Sequence, residues 1–184
     1  MGIGHDGAGR CCWSCPHHPR SLGIVDHGSR RSLFLRAIAS KSSWQLLSWL
    51  CQTINQFGKP RAIRTDNERC FTSSLFALGL KLLGMLNPRI DKGCPWQNGR
   101  VERFFGTLKQ NLKQVQFDNI STLDILLTDF GCWYHLIRPH QNLSGLTPTE
   151  AWHAVDAFNT ANPAKEVRFY QAGDGLLCGF HIRR

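Results

Sequence analysis

From Leu22 onward, apolar and polar positions recur with definite periods. Leu22–Val25 is a short apolar run ending at Asp26, and His27-Gly28-Ser29 follows as a turn. Ser32–Ile38 (SLFLRAI) predicts a second strand and closes a hairpin. Ser42 with Gln45 three residues on is a capping-box pattern, behind which Leu46, Leu47, Leu50, Ile54 and Phe57 recur at helical spacing. Gly58 and Pro60 mark the stop. Ala62–Thr65 is a short strand that delivers Asp66 at its carboxyl end. A helix from about Ser74 to Leu83 ends at Gly84, and a strand around Met85–Ile90 carries Pro88, which suits an edge. Beyond a loop over Asp91–Trp96, a long amphipathic helix is predicted from Gln97 to Lys113. Ser121 is expected to cap another helix running to His135. Thr147-Pro148-Thr149-Glu150 combines a capping box with proline at the first helical position and opens a short helix through Trp152.

Residues 1–21 lack this regularity: four glycines, three cysteines and two prolines interrupt any apolar period. The chain therefore divides into an irregular segment (1–21), a regular core (22–155) and an extension (156–184). Strands and helices alternate through the core, which predicts a mixed α/β layer fold.

Composition narrows the function. An apolar share of 42% and a charged share of 19% describe a globular chain, not a disordered polyelectrolyte, a coiled coil or a collagen. No stretch approaches the roughly 20 apolar residues of a membrane span. The amino terminus has no basic region leading into an apolar run, so a cytoplasmic protein is expected. Lys and Arg number 22 against 13 Asp and Glu, a net charge of +9 that favours a polyanionic partner over a small neutral substrate. Between positions 89 and 113, Arg89, Lys92, Arg100, Arg103, Lys109 and Lys113 face only Asp91 and Glu102, a concentration suited to phosphate contacts. Five of the eight cysteines stand alone and read as small reduced side chains. Cys12 and Cys15 with His17 and His18 have zinc-ligand types, but four ligands within seven residues are cramped for a tetrahedral site. His135 and His140 lack a carboxylate or cysteine at ligand spacing. The aromatic and basic stretch Trp133–Trp152 reads as helix packing more readily than as base stacking.

Two carboxylates stand out by position. Asp66 follows a strand, where α/β folds place their sites. Glu102 lies on the flank of the long helix, beside an apolar face of Val101, Phe104, Phe105, Leu108 and Leu112. Gly106, Lys109 and Lys113 follow it along the same flank, so a carboxylate is succeeded by a gap and then by cations.

Thirty-five residues separate Asp66 from Glu102 (102 − 66 − 1), and the stretches VDHGSRR (25–31), GKPRAIRTDNERCF (58–71), CPWQNGRVERFFGTLK (94–109) and WYHLIRPHQNLSGLTPTEAW (133–152) follow in order. In these the chain resembles the integrase catalytic core of retroviral-integrase-like DDE transposases from bacterial insertion sequences. The resemblance covers Leu22–Trp152. It implies a ribonuclease-H-like fold, a mixed five-stranded sheet flanked by helices, with the first strand left open. It also implies DNA transposition by phosphodiester cleavage and strand transfer, with two Mg²⁺ (or Mn²⁺) ions held by three acids. Asp66 and Glu102 match the second and third acids. VDHGSRR matches the second strand, so the first acid is expected on the strand before it. Asp6 is the only carboxylate ahead of Asp26 and is taken as that ligand; Asp26 or no residue at all are the alternatives. The family's long helix carries a DNA-contacting lysine at the position of Lys109. Lys113, Arg100, Arg103, Asn98 and Asn67 complete the expected DNA contacts. The partners implied are double-stranded DNA (element ends and target) and further copies of the chain, which would act as a homo-multimer.

The irregular start and the lack of a helix-turn-helix region ahead of the core read as a truncated or frame-disrupted copy. A catalytically inactive DNA-binding remnant is therefore the rival expectation, and a ribonuclease-H-like nuclease acting on hybrids or junctions is a third.

Overall fold

A computed structural model describes residues 8–11, 20–88, 98–113, 115, 117, 119–156, 166–173 and 175–183. Four strands form one sheet in the order β3-β2-β1-β4: β1 (Ala8–Cys11), β2 (Arg20–Val25), β3 (Ser32–Ile38) and β4 (Ala62–Thr65). β2 pairs antiparallel with both β1 and β3, whereas β1 and β4 run parallel. The hairpin over 22–38 is as the alternation predicts. β1 falls inside the segment read as irregular: its sequence AGRC has almost no apolar alternation, and pairing on both sides, not side-chain pattern, makes it a strand.

A five-stranded sheet is not found among the described residues. Where the fifth strand was expected, a single parallel bridge joins Leu86 to Ala62, with Ile63 N–H donating to the Leu86 carbonyl at 2.9 Å. Pro88 follows two residues later and has no N–H to extend the ladder.

Helices cover both faces. On one lie α1 (Ser43–Phe57), α2 (Arg69–Thr72) and α3 (Ser74–Leu82), whose Leu46, Leu47, Leu50, Phe71, Phe76 and Leu80 bury against Leu22, Ile24, Ile38 and Ile63. On the other lie α4 (Gly99–Leu112) and α5 (Ile120–Leu136), which bury Val101, Phe104, Phe105, Leu108, Leu123, Leu127, Phe130 and Tyr134 with Val25. Each fully buried phenylalanine contributes about 2–3 kcal/mol of transfer free energy.

Local signals account for most helix ends. The Ser42 hydroxyl accepts the Gln45 N–H, but the Gln45 side chain turns to Ser40, so only half of the expected capping box forms. Asn119, not Ser121, caps α5: its Oδ1 accepts the Thr122 N–H at 2.8 Å. The capping box of α6 (Pro148–Trp152) is complete.

α5 lies along β3, the edge strand. Asp124 accepts the Ala37 N–H at 3.0 Å and pairs with Arg36 at 3.0 Å. His135 Nε2 accepts the Ser32 N–H at 3.0 Å. Two side chains thus satisfy donors at both ends of an otherwise open edge. The extension forms a hairpin of β5 (Glu166–Ala172) and β6 (Leu177–Arg183). Leu177 joins the core cluster of α4 and α5, and the Trp133 indole N–H donates to the Cys178 carbonyl at 3.0 Å. The extension is thus packed onto α5 through Leu177 and Cys178. Among the described residues no helix is long and apolar enough to cross a membrane.

Candidate active site

Ile24, Cys11 and Thr65 occupy one row across β2, β1 and β4. Ile24 and Ile63 are buried toward α1 and α3. Alternation therefore turns Gly23 and Val25 of β2, and the residues flanking Thr65, toward the α4 and α5 face. Gly23 faces the Phe105 ring of α4. Asp66 follows Thr65, and because β2 runs against β4, Gly23 and Asp66 are displaced toward the same end of the sheet. Two strand spacings, roughly 10 Å, separate them.

Asp66 is half-buried. Its Oδ1 accepts the Glu68 N–H at 3.2 Å, which orients the carboxylate at the strand end. Glu68 in turn pairs with Lys41 Nζ at 2.7 Å, although the Lys41 side chain is only 7% exposed. Nothing in the sequence signals this support, because 27 residues separate its members. Asn67 is exposed beside the acid.

Glu102 is exposed in the first turn of α4, where the helix dipole favours a carboxylate. Phe104 packs edge-to-face on Tyr134, and Arg138 beyond α5 donates to Thr107 Oγ1 at 2.8 Å, so that side of α4 faces α5. Glu102, Lys109 and Lys113 lie roughly 140–180° around the helix from Phe104. Since α5 lies along β3, this flank looks across β1 and β4, the direction of Asp66. One sheet face therefore carries both acids, with the two lysines beyond Glu102.

The remaining expected residues part from this flank. Arg103 is exposed and Arg100 half-buried, and both lie on the α5 side of α4. The Arg100 guanidinium is bonded to His27, through ring Nδ1 and carbonyl. Asn98 is buried at 7% exposure, so its amide is withdrawn from the surface on which a DNA contact was expected. Asp26 is buried and its Oδ2 accepts from Ser29 N (2.7 Å) and Oγ (2.8 Å), which commits it to the turn after β2. Asp6 lies outside the described residues, as do Cys12, Cys15, His17 and His18.

Divalent ions need several hard oxygen donors together. Asp66 and Glu102 are of the right type, but among the described residues no group of three or more His, Cys, Asp or Glu stands close enough to hold a metal ion. β1, the neighbour of β4, contributes no carboxylate from Ala8 to Cys11. The fit is therefore to part of a metal site.

Residues 84–148 match the integrase core domain family. The chain is 29% identical over 132 residues to the insertion element IS476 uncharacterized 39.2 kDa protein of Xanthomonas euvesicatoria, covering 71% of this chain and 38% of that protein. It is 27% identical over 128 residues to the insertion element IS407 uncharacterized 31.7 kDa protein of Burkholderia multivorans, covering 69% of this chain and 42% of that one. Over these residues the chain resembles an integrase core. The fold resembles the catalytic core domain of BIV integrase, with TM-score 0.64, 19% identity, and coverage of 82% of this chain and 95% of that one. The catalytic core domain of HTLV-2 integrase, solved in complex with magnesium, is similar at TM-score 0.54 and 17% identity, covering 82% of this chain and 99% of that one. The resemblance read from the motifs is therefore matched by the family model over residues 84–148 and by the fold. The matched segments span about two-fifths of the length of the insertion-element relatives.

Proposed function

We propose that this integrase core cleaves and joins DNA strands in transposition, with Asp66 and Glu102 as metal-holding acids. What supports the reading is that alternation along β4 turns Asp66 to the sheet face covered by α4, and that Glu102 is exposed on the side of α4 away from α5. Phosphodiester transfer requires relief of charge at the phosphate and activation of an oxygen nucleophile, and Mg²⁺ or Mn²⁺ supplies both when bound. The chain's own contribution is to hold carboxylates in place and to seat the DNA backbone. The Glu68 N–H fixes Asp66, the fold of α4 fixes Glu102, and Lys109 and Lys113 extend a cationic track on which a phosphate strand lies. Asp6 is proposed as the third ligand, and Asn67 as a polar contact beside the acid. Element ends and target are the proposed DNA substrates, engaged by a homo-multimer in the cytoplasm.

The test is divalent-metal-dependent nicking of duplex DNA by the purified chain. Glu102→Gln is expected to abolish nicking and leave DNA binding intact. Undiminished nicking by that variant would remove Glu102 from the mechanism.

A second reading has its own support. β1 offers no acid between Ala8 and Cys11, and Asp26 is committed to its turn. A core that binds DNA without cutting it would show no metal-dependent nicking and weak metal binding that Asp6→Asn leaves unchanged.

A further inference from the structure

At the end of the sheet away from Asp66, the turn after β2, the start of α4 and the segment after α5 bring cationic side chains together. Arg30 leaves the turn with φ +65°. Arg100 and Arg103 project from the α5 side of α4, and Arg138 packs over the Trp133 and Tyr134 rings, 5.6 and 5.7 Å from their centroids. His140 packs edge-to-face on Tyr134 at 4.8 Å. Asp26, with its Ser29 bonds, is the carboxylate that acts on Arg30 and Arg100. Among the described residues Arg30, Arg103 and Arg138 form no ion pair, and Arg30 Nε and His140 Nε2 are buried without a hydrogen-bond partner.

Adjacent guanidiniums that form no ion pair repel one another, and an anion placed among their exposed nitrogens relieves that cost. We propose that Arg30, Arg103 and Arg138, backed by His140, form a second anion site that takes a backbone phosphate of duplex DNA, on the α5 side of α4, roughly a quarter-turn or more around the helix from Glu102. The inference rests on the DNA-binding reading and extends it: the helix is straddled, with the acid-bearing flank and the arginine cluster holding separate parts of the DNA. The local field is consistent with this. Burial, together with Arg138 and Arg30, pushes His140 down to about 4. Burial also lowers Arg30, and Arg103 adds to that effect.

The experiment measures binding of the full chain to a labelled DNA duplex by fluorescence anisotropy across a salt series. Arg30→Gln and Arg103→Gln are each expected to weaken binding several-fold and to reduce the slope of log affinity against log salt by about one. Arg103 is exposed, so its variant carries the test even if Arg30→Gln unfolds, which circular dichroism detects. Wild-type binding with a slope that neither variant changes overturns the second site alone. A chain that binds no duplex overturns both this site and the proposed function. Displacement of DNA from the wild type, but not from Arg103→Gln, by inorganic phosphate at matched ionic strength supports the shared phosphate chemistry. Protection of the fold by inorganic phosphate, with DNA affinity unchanged in both variants, would assign the cluster to a free anion and overturn the DNA assignment.

Discussion

Phe105 meets Gly23 where α4 crosses β2: a methyl group at Gly23 would stand 3.0 Å from the ring Cζ. This contact sets the height of α4 above the sheet, and with it the position of Glu102 relative to Asp66. Gly23→Val is expected to overpack the contact, destabilising the fold by about 1–3 kcal/mol. Nicking should fall more than stability alone explains, because the helix is displaced. Urea unfolding and a nicking assay on the same preparation check both. An unchanged urea midpoint would mean that the ring moves aside freely.

His135 accepts the Ser32 N–H and must be neutral at Nε2 to do so. Burial, with Arg31 and His140 nearby, pushes it from 6.5 down to about 4. The unfolded chain therefore takes up this proton first as pH falls. The stability is fully present above pH 6.5 and is lost between pH 6.5 and 4, a change of at most about 3 kcal/mol. Unfolding midpoints across that window should decline in the wild type and decline less in His135→Gln.

Glu68 ties Lys41 to the strand end that carries Asp66, and it also touches Cys70. Burial first, then the Glu68 charge, pushes the Cys70 thiol up to about 11. Alkylation near neutral pH is expected at the exposed Cys132 and Cys178 well before Cys70. Glu68→Gln should speed the Cys70 reaction, read by mass spectrometry of timed samples. Equal rates at all three thiols in the wild type would contradict the burial of this corner.

Thr147 closes a complete capping box with Glu150, through Oε2 contacts at 2.8 Å (Thr147 N) and 3.0 Å (Oγ1). Thr147→Ala is expected to cost about 1 kcal/mol. Arg31 lies 5.6 Å from the centroids of both Phe57 and Trp152, so fraying of α6 should also loosen the end of α1. Thermal unfolding and hydrogen exchange at Trp152 would register the two effects.

Much of this architecture is legible along the chain because local forces dictate it. Alternation over Leu22–Ile38 yields a hairpin, helical spacing over Leu46–Phe57 and Val101–Leu112 yields two packed helices, and Thr147 to Glu150 caps its own helix. The spacing of Asp66 and Glu102 within their motifs is likewise visible in one dimension. Where the structure departs from these patterns, the causes differ. AGRC became a strand because β2 and β4 supplied partners for its backbone, and Ser121 lost the cap of α5 to Asn119, two residues earlier.

The sequence alone therefore determined most helices, the β2–β3 hairpin and the two acids as candidates, since periodicity and capping act over a few residues. Only the tertiary structure decided that α4 has two different flanks, with Glu102, Lys109 and Lys113 turned away from α5 and Arg100 and Arg103 on the side of α5 and Arg138. That division follows from which side of the helix α5 covers. No local pattern encodes it, because it arises from the burial of Phe104 against Phe130 and Tyr134, side chains that meet only when the chain closes on itself.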